Sequence, residues 1–165
     1  REAYEARGFD LEQIARDYVD VLNRVIEWKP EDLVVNMHIC RGNFRSTWFS
    51  SGGYEPVAKT LFGYCRVDGF FLEYDSDRAG DFTPLRYIKD QKVVLGLITS
   101  KSGDLEDKGE VIARIKEASQ YVPLEQLCLS PQCGFSSTEE GNILTIEAQW
   151  DKLKLIDEIV HEVWG

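Results

Sequence analysis

Among its 165 residues the chain has no apolar run long enough to cross a bilayer. The longest, Val93-Val94-Leu95-Gly96-Leu97-Ile98, falls far short of the roughly 20 residues a spanning helix needs. It is poor in basic residues relative to acidic ones, 19 Lys and Arg against 29 Asp and Glu, for a net charge of −10. That sign repels a phosphate backbone, so neither nucleic acid nor a membrane is the expected partner. No basic segment followed by an apolar stretch and a small-residue cleavage site opens the chain, so a cytoplasmic protein is expected. In that compartment the four cysteines are expected as thiols or metal ligands before disulfides. Repeats, low-complexity tracts and linkers are also missing, which leaves a single domain over 1–165. The opening Arg1-Glu2-Ala3-Tyr4 lacks an initiator Met, and the expectation is a chain cut from something longer.

What is present is alternating helical and extended patterning. Leu11, Ile14, Ala15, Tyr18, Val19, Val21, Leu22, Val25 and Ile26 recur at helical spacing behind the cap candidate Asp10. Residues 33–39 form an apolar run expected as a buried strand, and a polar, glycine-containing stretch follows to Gly53. A short helix is expected near 54–64 with Pro56 in its first turn, then a strand at 69–74. The segment 75–81 is expected as a charged, solvated loop, and 84–89 as one helical turn. The remaining expectations are a strand at 92–99, a helix over 105–119, a strand at 126–130 and a last helix over 146–163. Apolar strands separated by helices point to an α/β fold with a parallel sheet under covering helices. Four βα units are present, whereas a closed eight-stranded barrel needs about 250 residues. The chain supplies about half of one.

Parallel sheets place their chemistry at the carboxyl ends of the strands. There this sequence carries His38 and Cys40, two apart and so on one side of an extended segment. It also carries Glu73, at the end of an apolar run, and Cys133, before a Gly134 that permits a sharp turn. Imidazole, thiolate and carboxylate are zinc-ligand types. The same residues fit a hydrogen-bonded core histidine, buried thiols and a solvated carboxylate, because no CxxC pair fixes the spacing. Cys65 and Cys128 are expected as core thiols, and His161 as a solvated helix residue. Arg41, Asn43 and Arg45 form a loop just beyond His38 and Cys40 that is suited to an anionic substrate group.

The segments His38-Ile39-Cys40-Arg41-Gly42-Asn43, Phe71-Leu72-Glu73-Tyr74-Asp75, Gly96-Leu97-Ile98-Thr99-Ser100-Lys101 and Leu129-Ser130-Pro131-Gln132-Cys133-Gly134-Phe135 occur in this order in another family. Over nearly its whole length the chain resembles the cobalamin-independent methionine synthases, in particular their short, single-barrel bacterial homologues. The resemblance implies the C-terminal half of a (β/α)8 TIM-type barrel. It implies a Zn2+ ion held by His38, Cys40, Glu73 and Cys133. It also implies an S-methyltransferase that moves a methyl group from a methyltetrahydrofolate-type donor to the thiol of homocysteine, forming methionine. The catalytic group would be the zinc-bound substrate thiolate, with no separate residue assigned.

The chain departs from the family in two places. Thr99 stands where the larger synthases place a histidine, and the family's amino-acid-binding residues precede the part that aligns. Alkyl transfer to another small thiol such as coenzyme M, or a non-catalytic zinc-binding module, are the alternative expectations. A half-barrel chain alone is expected to be inactive, or to associate through its exposed barrel edges.

Overall fold

The structure, a computed structural model, describes residues 2–165. Its order is α1 (Glu2–Glu5), α2 (Leu11–Ile26), β1 (Asn36–Ile39), α3 (Glu55–Tyr64), β2 (Gly69–Glu73), β3 (Lys92–Ile98), α4 (Lys108–Ala118), β4 (Leu127–Pro131) and α5 (Ile146–Val163). Two 3-10 turns, Asp77–Ala79 and Thr83–Tyr87, stand where a helix would follow β2. Helices α2, α4 and α5 start on side-chain caps. Asp10 accepts from the Gln13 amide, Asp107 from that of Glu110 and Thr145 from that of Ala148, each supplying a partner the first turn lacks. Capping by Asp107 makes α4 three residues shorter at its start than the apolar pattern suggests, because Leu105 is exposed and lies outside it.

The four strands are parallel and ordered β1-β2-β3-β4, so every connection crosses to the next neighbour. Successive side chains alternate between the two faces of the sheet. Phe70, Leu72, Val93, Leu95, Leu97 and Leu127 all belong to the buried core. Ala58 and Phe62 of α3, Val111, Ile115 and Ala118 of α4, and Leu155 and Ile159 of α5 complete it. The other face is open. His38, Phe71, Val94 and Cys128 lie in register across it, and Phe71 is 36% exposed.

The strand expected over 33–39 is a correction. Only Asn36–Ile39 pairs, with alternating exposure rather than burial, while Leu33 and Val34 are exposed. Met37 and Ile39 of this edge strand are only partly buried, packed against the core.

One irregularity shapes the carboxyl end of the sheet. Gly96 pairs with both Glu73 and Ser130, and the β3–β4 register then shifts before Ile98. A Cβ at Gly96 would lie 2.8 Å from the Gln132 Cα and 2.8 Å from the Leu72 carbonyl oxygen, so only glycine lets the strands approach this closely. Past the shift the Gln132 amide donates to the Ile98 carbonyl at 2.7 Å, extending the contact toward Cys133.

Candidate metal centre

Three strand ends converge on one cluster. His38 sits on β1 and Cys40 just past its end, Glu73 is the last residue of β2, and Cys133 lies two residues beyond β4. The donor atoms of these four all lie within 4.8 Å of one another, a group that could hold a metal ion. The Cys133 sulfur is 4.0 Å from the Cys40 sulfur and 3.6 Å from His38 Nε2, and His38 Nε2 is 3.7 Å from Glu73 Oε1. No disulfide joins the cysteines; Cys65 is a buried free thiol and Cys128 a half-buried one. His161 is exposed and remote in role, bonded to its own helix at Asp157.

Glu73 is fully buried, and an ionised carboxylate there requires partners. The Arg41 amide donates to its Oε1 at 3.1 Å, and the Arg78 guanidinium lies 3.4 Å from Oε2. Its own backbone is fixed by Tyr54, whose hydroxyl accepts from the Glu73 amide at 2.8 Å and donates to the Glu73 carbonyl at 3.3 Å. Burial pushes the Tyr54 phenol up to about 12, partly offset by Arg41. Burial also raises the Tyr74 phenol, whose ring packs against Tyr54 and Phe82.

Behind Glu73 stands a connected polar array that the sequence patterning missed. Arg78 pairs with Asp75 at 3.0 Å, Asp75 accepts from the Thr99 hydroxyl at 2.9 Å, and the Thr99 amide donates to Glu106 at 2.8 Å. Glu106 then pairs at 3.0 Å with Lys152, which is fully buried on α5. The segment expected as an ordinary solvated loop is therefore corrected: the Asp75 and Arg78 side chains are 4% and 10% exposed. The available signal was their position, immediately beyond a strand that ends in a buried carboxylate. Thr99 is bound into this array by its hydroxyl and its amide.

The loop 41–53 forms the near wall. Gly42 adopts φ +101° with Phe49 packed on it, and a Cβ there would fall 2.6 Å from the Phe49 nitrogen. The amides of Phe49 and Ser50 both donate back to the Arg41 carbonyl. Of the three expected substrate-binding residues, Arg41 is buried, its guanidinium donating to the Arg78 carbonyl and lying 4.4 Å from the centre of the Tyr54 ring. Asn43 is half-buried and spans to two other loops. Arg45 is exposed and holds a left-handed φ of 44°. Gly134 does not adopt a left-handed φ; its carbonyl accepts from Asn43 at 2.6 Å.

From the loop after β3, Lys101 reaches this wall, donating to Asn43 Oδ1 at 2.5 Å and to the Gly42 carbonyl at 3.3 Å. Burial lowers its ammonium pKa, against the opposing charges of Cys133, Glu73, Asp75 and Cys40. A hollow of about 280 Å³ beside the cluster is lined by His38, Phe71 and residues 130–134. Among the described residues no helix is long and apolar enough to cross a membrane.

No family model matches this chain. It is 54% identical over 166 residues to the uncharacterized protein YxjH of Bacillus subtilis, covering 99% of this chain and 44% of that protein. The methionine synthase of Pyrococcus horikoshii is 23% identical over 116 residues, 70% of this chain and 30% of its own. In structure, the chain superposes on a candidate vitamin-B12-independent methionine synthase of Listeria monocytogenes with a TM-score of 0.74 and 47% identity, over 96% of this chain and 43% of that one. The B12-independent methionine synthase of Shewanella sp. W3-18-1, solved with selenomethionine, shares the fold at a TM-score of 0.68 and 23% identity. The chain spans less than half the length of its curated relatives. Sequence and fold thus match this chain to about half of a cobalamin-independent methionine synthase-type barrel.

Proposed function

We propose that this chain is the metal-binding half of a zinc-dependent S-methyltransferase. The transfer would run from a methyltetrahydrofolate-type donor to the thiol of homocysteine, forming methionine. The observation that carries this reading is the convergence of His38, Cys40, Glu73 and Cys133, one imidazole, two thiols and one carboxylate, from three separate strand ends.

Three of the six donor separations come close to zinc's tetrahedral edges, and all six lie within 4.8 Å. With Zn–S near 2.3 Å and Zn–N and Zn–O near 2.0–2.2 Å, a tetrahedron has edges of about 3.8 Å between sulfurs, 3.6 Å between sulfur and nitrogen and 3.4 Å between nitrogen and oxygen. The corresponding distances here are 4.0, 3.6 and 3.7 Å. Zinc bound there would supply a Lewis acid that keeps a substrate thiol in its reactive thiolate form at neutral pH.

The chain's own residues divide the remaining work. Arg41, through its amide, and Arg78 hold the Glu73 carboxylate whether or not it touches a metal, so a ligand exchange at Glu73 leaves no bare buried charge. His38, Phe71 and residues 130–134 shape the hollow in which a small thiol would be oriented. Arg45 supplies an exposed cation to which we assign the anionic end of a substrate, on a wall whose shape the Arg41 and Asn43 side chains, bonded within the protein, maintain.

Two measurements test the proposal. Metal analysis of the purified chain is expected to give about one zinc per chain, falling toward zero in His38→Ala. Methionine formation from homocysteine and methyltetrahydrofolate is expected when the chain is joined to the remaining half of such a barrel. Activity that survives His38→Ala refutes the mechanism.

A further inference from the structure

We infer that Asn43, oriented by Lys101, is a positioning residue that sets the spacing between the two sulfur ligands. This inference rests on the metal-site reading above and deepens it. Asn43 lies three residues after Cys40, and Gly134 directly follows Cys133. The Asn43 amide bridges the two segments: Nδ2 donates to the Gly134 carbonyl at 2.6 Å and to the Ser137 hydroxyl at 2.6 Å, while Oδ1 accepts from Lys101 at 2.5 Å. An ammonium only donates and a backbone carbonyl only accepts, so the amide has one permitted orientation. Both of its hydrogens and one face of its oxygen are committed.

The bridge acts on the sulfurs through very short stretches of backbone. On one side, the Gly42 amide donates to the Cys40 sulfur at 3.3 Å, and the carbonyl of the same Gly42 accepts from Lys101. On the other, Gly134 is covalently adjacent to Cys133. Three loops, those after β1, β3 and β4, meet at this one amide and one ammonium next to the sulfurs, and a second link farther from them runs through Ser46, Asn142 and Ser100. Elsewhere around the site the backbone is held differently: Glu73 is fixed by strand pairing and by Tyr54, and His38 by its place in β1. The two cysteines lie beyond the strand ends, where no ladder reaches them. A hydrogen-bonded clamp is the physical substitute, and polar groups that orient metal ligands are worth about 10- to 100-fold in metal affinity.

Cobalt(II) and zinc binding to the purified protein test the inference, with the urea midpoint measured alongside. The wild type is expected to show sulfur-to-cobalt charge-transfer bands and a tetrahedral ligand-field pattern. Asn43→Ala is expected to weaken zinc, in competition with a chromophoric chelator, by about 10- to 100-fold and to alter the ligand-field bands. Asn43→Asp keeps the contact with Lys101 but sets an acceptor against the Gly134 carbonyl, so it should fail in the same way. Lys101→Arg can still donate to Asn43 and should retain affinity within a few-fold, whereas Lys101→Met should not. Asn43→Ala or Asn43→Asp with wild-type affinity and spectrum overturns the positioning role while leaving the metal site standing. Lys101→Met indistinguishable from wild type removes Lys101 from it. A wild type that binds neither metal overturns both the inference and the site on which it rests.

Discussion

The Cys40 and Cys133 sulfurs stand 4.0 Å apart although 93 residues separate them in the chain. That is twice a disulfide's sulfur–sulfur distance of about 2.0 Å and close to the edge of a zinc tetrahedron. Substituting either cysteine should therefore act on metal before it acts on fold. Cys133→Ser is expected to lower zinc content from about one per chain to a small fraction, with an unfolding midpoint for the metal-free protein close to wild type. Unchanged zinc content in Cys133→Ser would remove this residue from the ligand set.

Arg78 is the cation shared by two buried carboxylates, Glu73 and Asp75. Removing it leaves both without their ion-pair partner in a region where neither reaches water. Arg78→Met is expected to cost about 3–5 kcal/mol in urea unfolding, the range for breaking a buried pair from one side. Arg78→Lys, which keeps the charge but loses the second guanidinium nitrogen that reaches the Ser50 carbonyl while Nη2 touches both carboxylates, should recover only part of this. A cost below about 1 kcal/mol would mean that Glu73 and Asp75 are held by their other hydrogen bonds alone.

The helical periodicities of 11–26 and 146–163 mark α2 and α5 at their observed limits, because α5 buries an apolar stripe, α2 packs Val19, Leu22 and Ile26 against the core, and both begin on side-chain caps. The four candidate ligand residues stand out in the sequence because strand ends are where a parallel sheet exposes its chemistry. What patterning cannot show is partnership. Asp75, Arg78 and Lys152 are charged residues that elsewhere would sit in water, and only the packing of β2, β3 and α5 together makes them a buried array. The clamp of Asn43 and Lys101 is hidden for the same reason: its members are 58 residues apart and meet only across loops. The edge position of β1 is equally non-local, since it is set by pairing with β2 across more than thirty residues of chain.

Gly96 offers a test of how closely the sheet geometry is tied to the site. Gly96→Ala places a Cβ 2.8 Å from two backbone atoms, one belonging to Gln132 next to Cys133. Backbone cannot swing away as a side-chain tip can, so the strands must separate. A destabilisation of about 2 kcal/mol or more is expected. Zinc affinity should fall as well, because the displaced segment leads directly into a ligand. Loss of stability with zinc affinity unchanged would show that the register shift after Gly96 does not position Cys133.

Tyr54 ties the pH dependence of stability to the backbone of Glu73. Its phenol is raised by burial from 10 to about 12 in the folded protein. On raising the pH, the unfolded chain releases this proton first, so between those values the folded state binds more protons and stability falls. The contribution is complete below about pH 10 and lost by about pH 12, and two pKa units correspond to about 2–3 kcal/mol. Burial of Tyr74 acts in the same sense. Urea midpoints followed from about pH 9 to pH 12 should decline more steeply in wild type than in Tyr54→Phe. That variant should also be weaker at neutral pH by about 1–3 kcal/mol, since its Glu73 amide loses its acceptor in a buried position. Equal slopes in the two proteins would show that the Tyr54 phenol ionises in the folded state as readily as in the unfolded one.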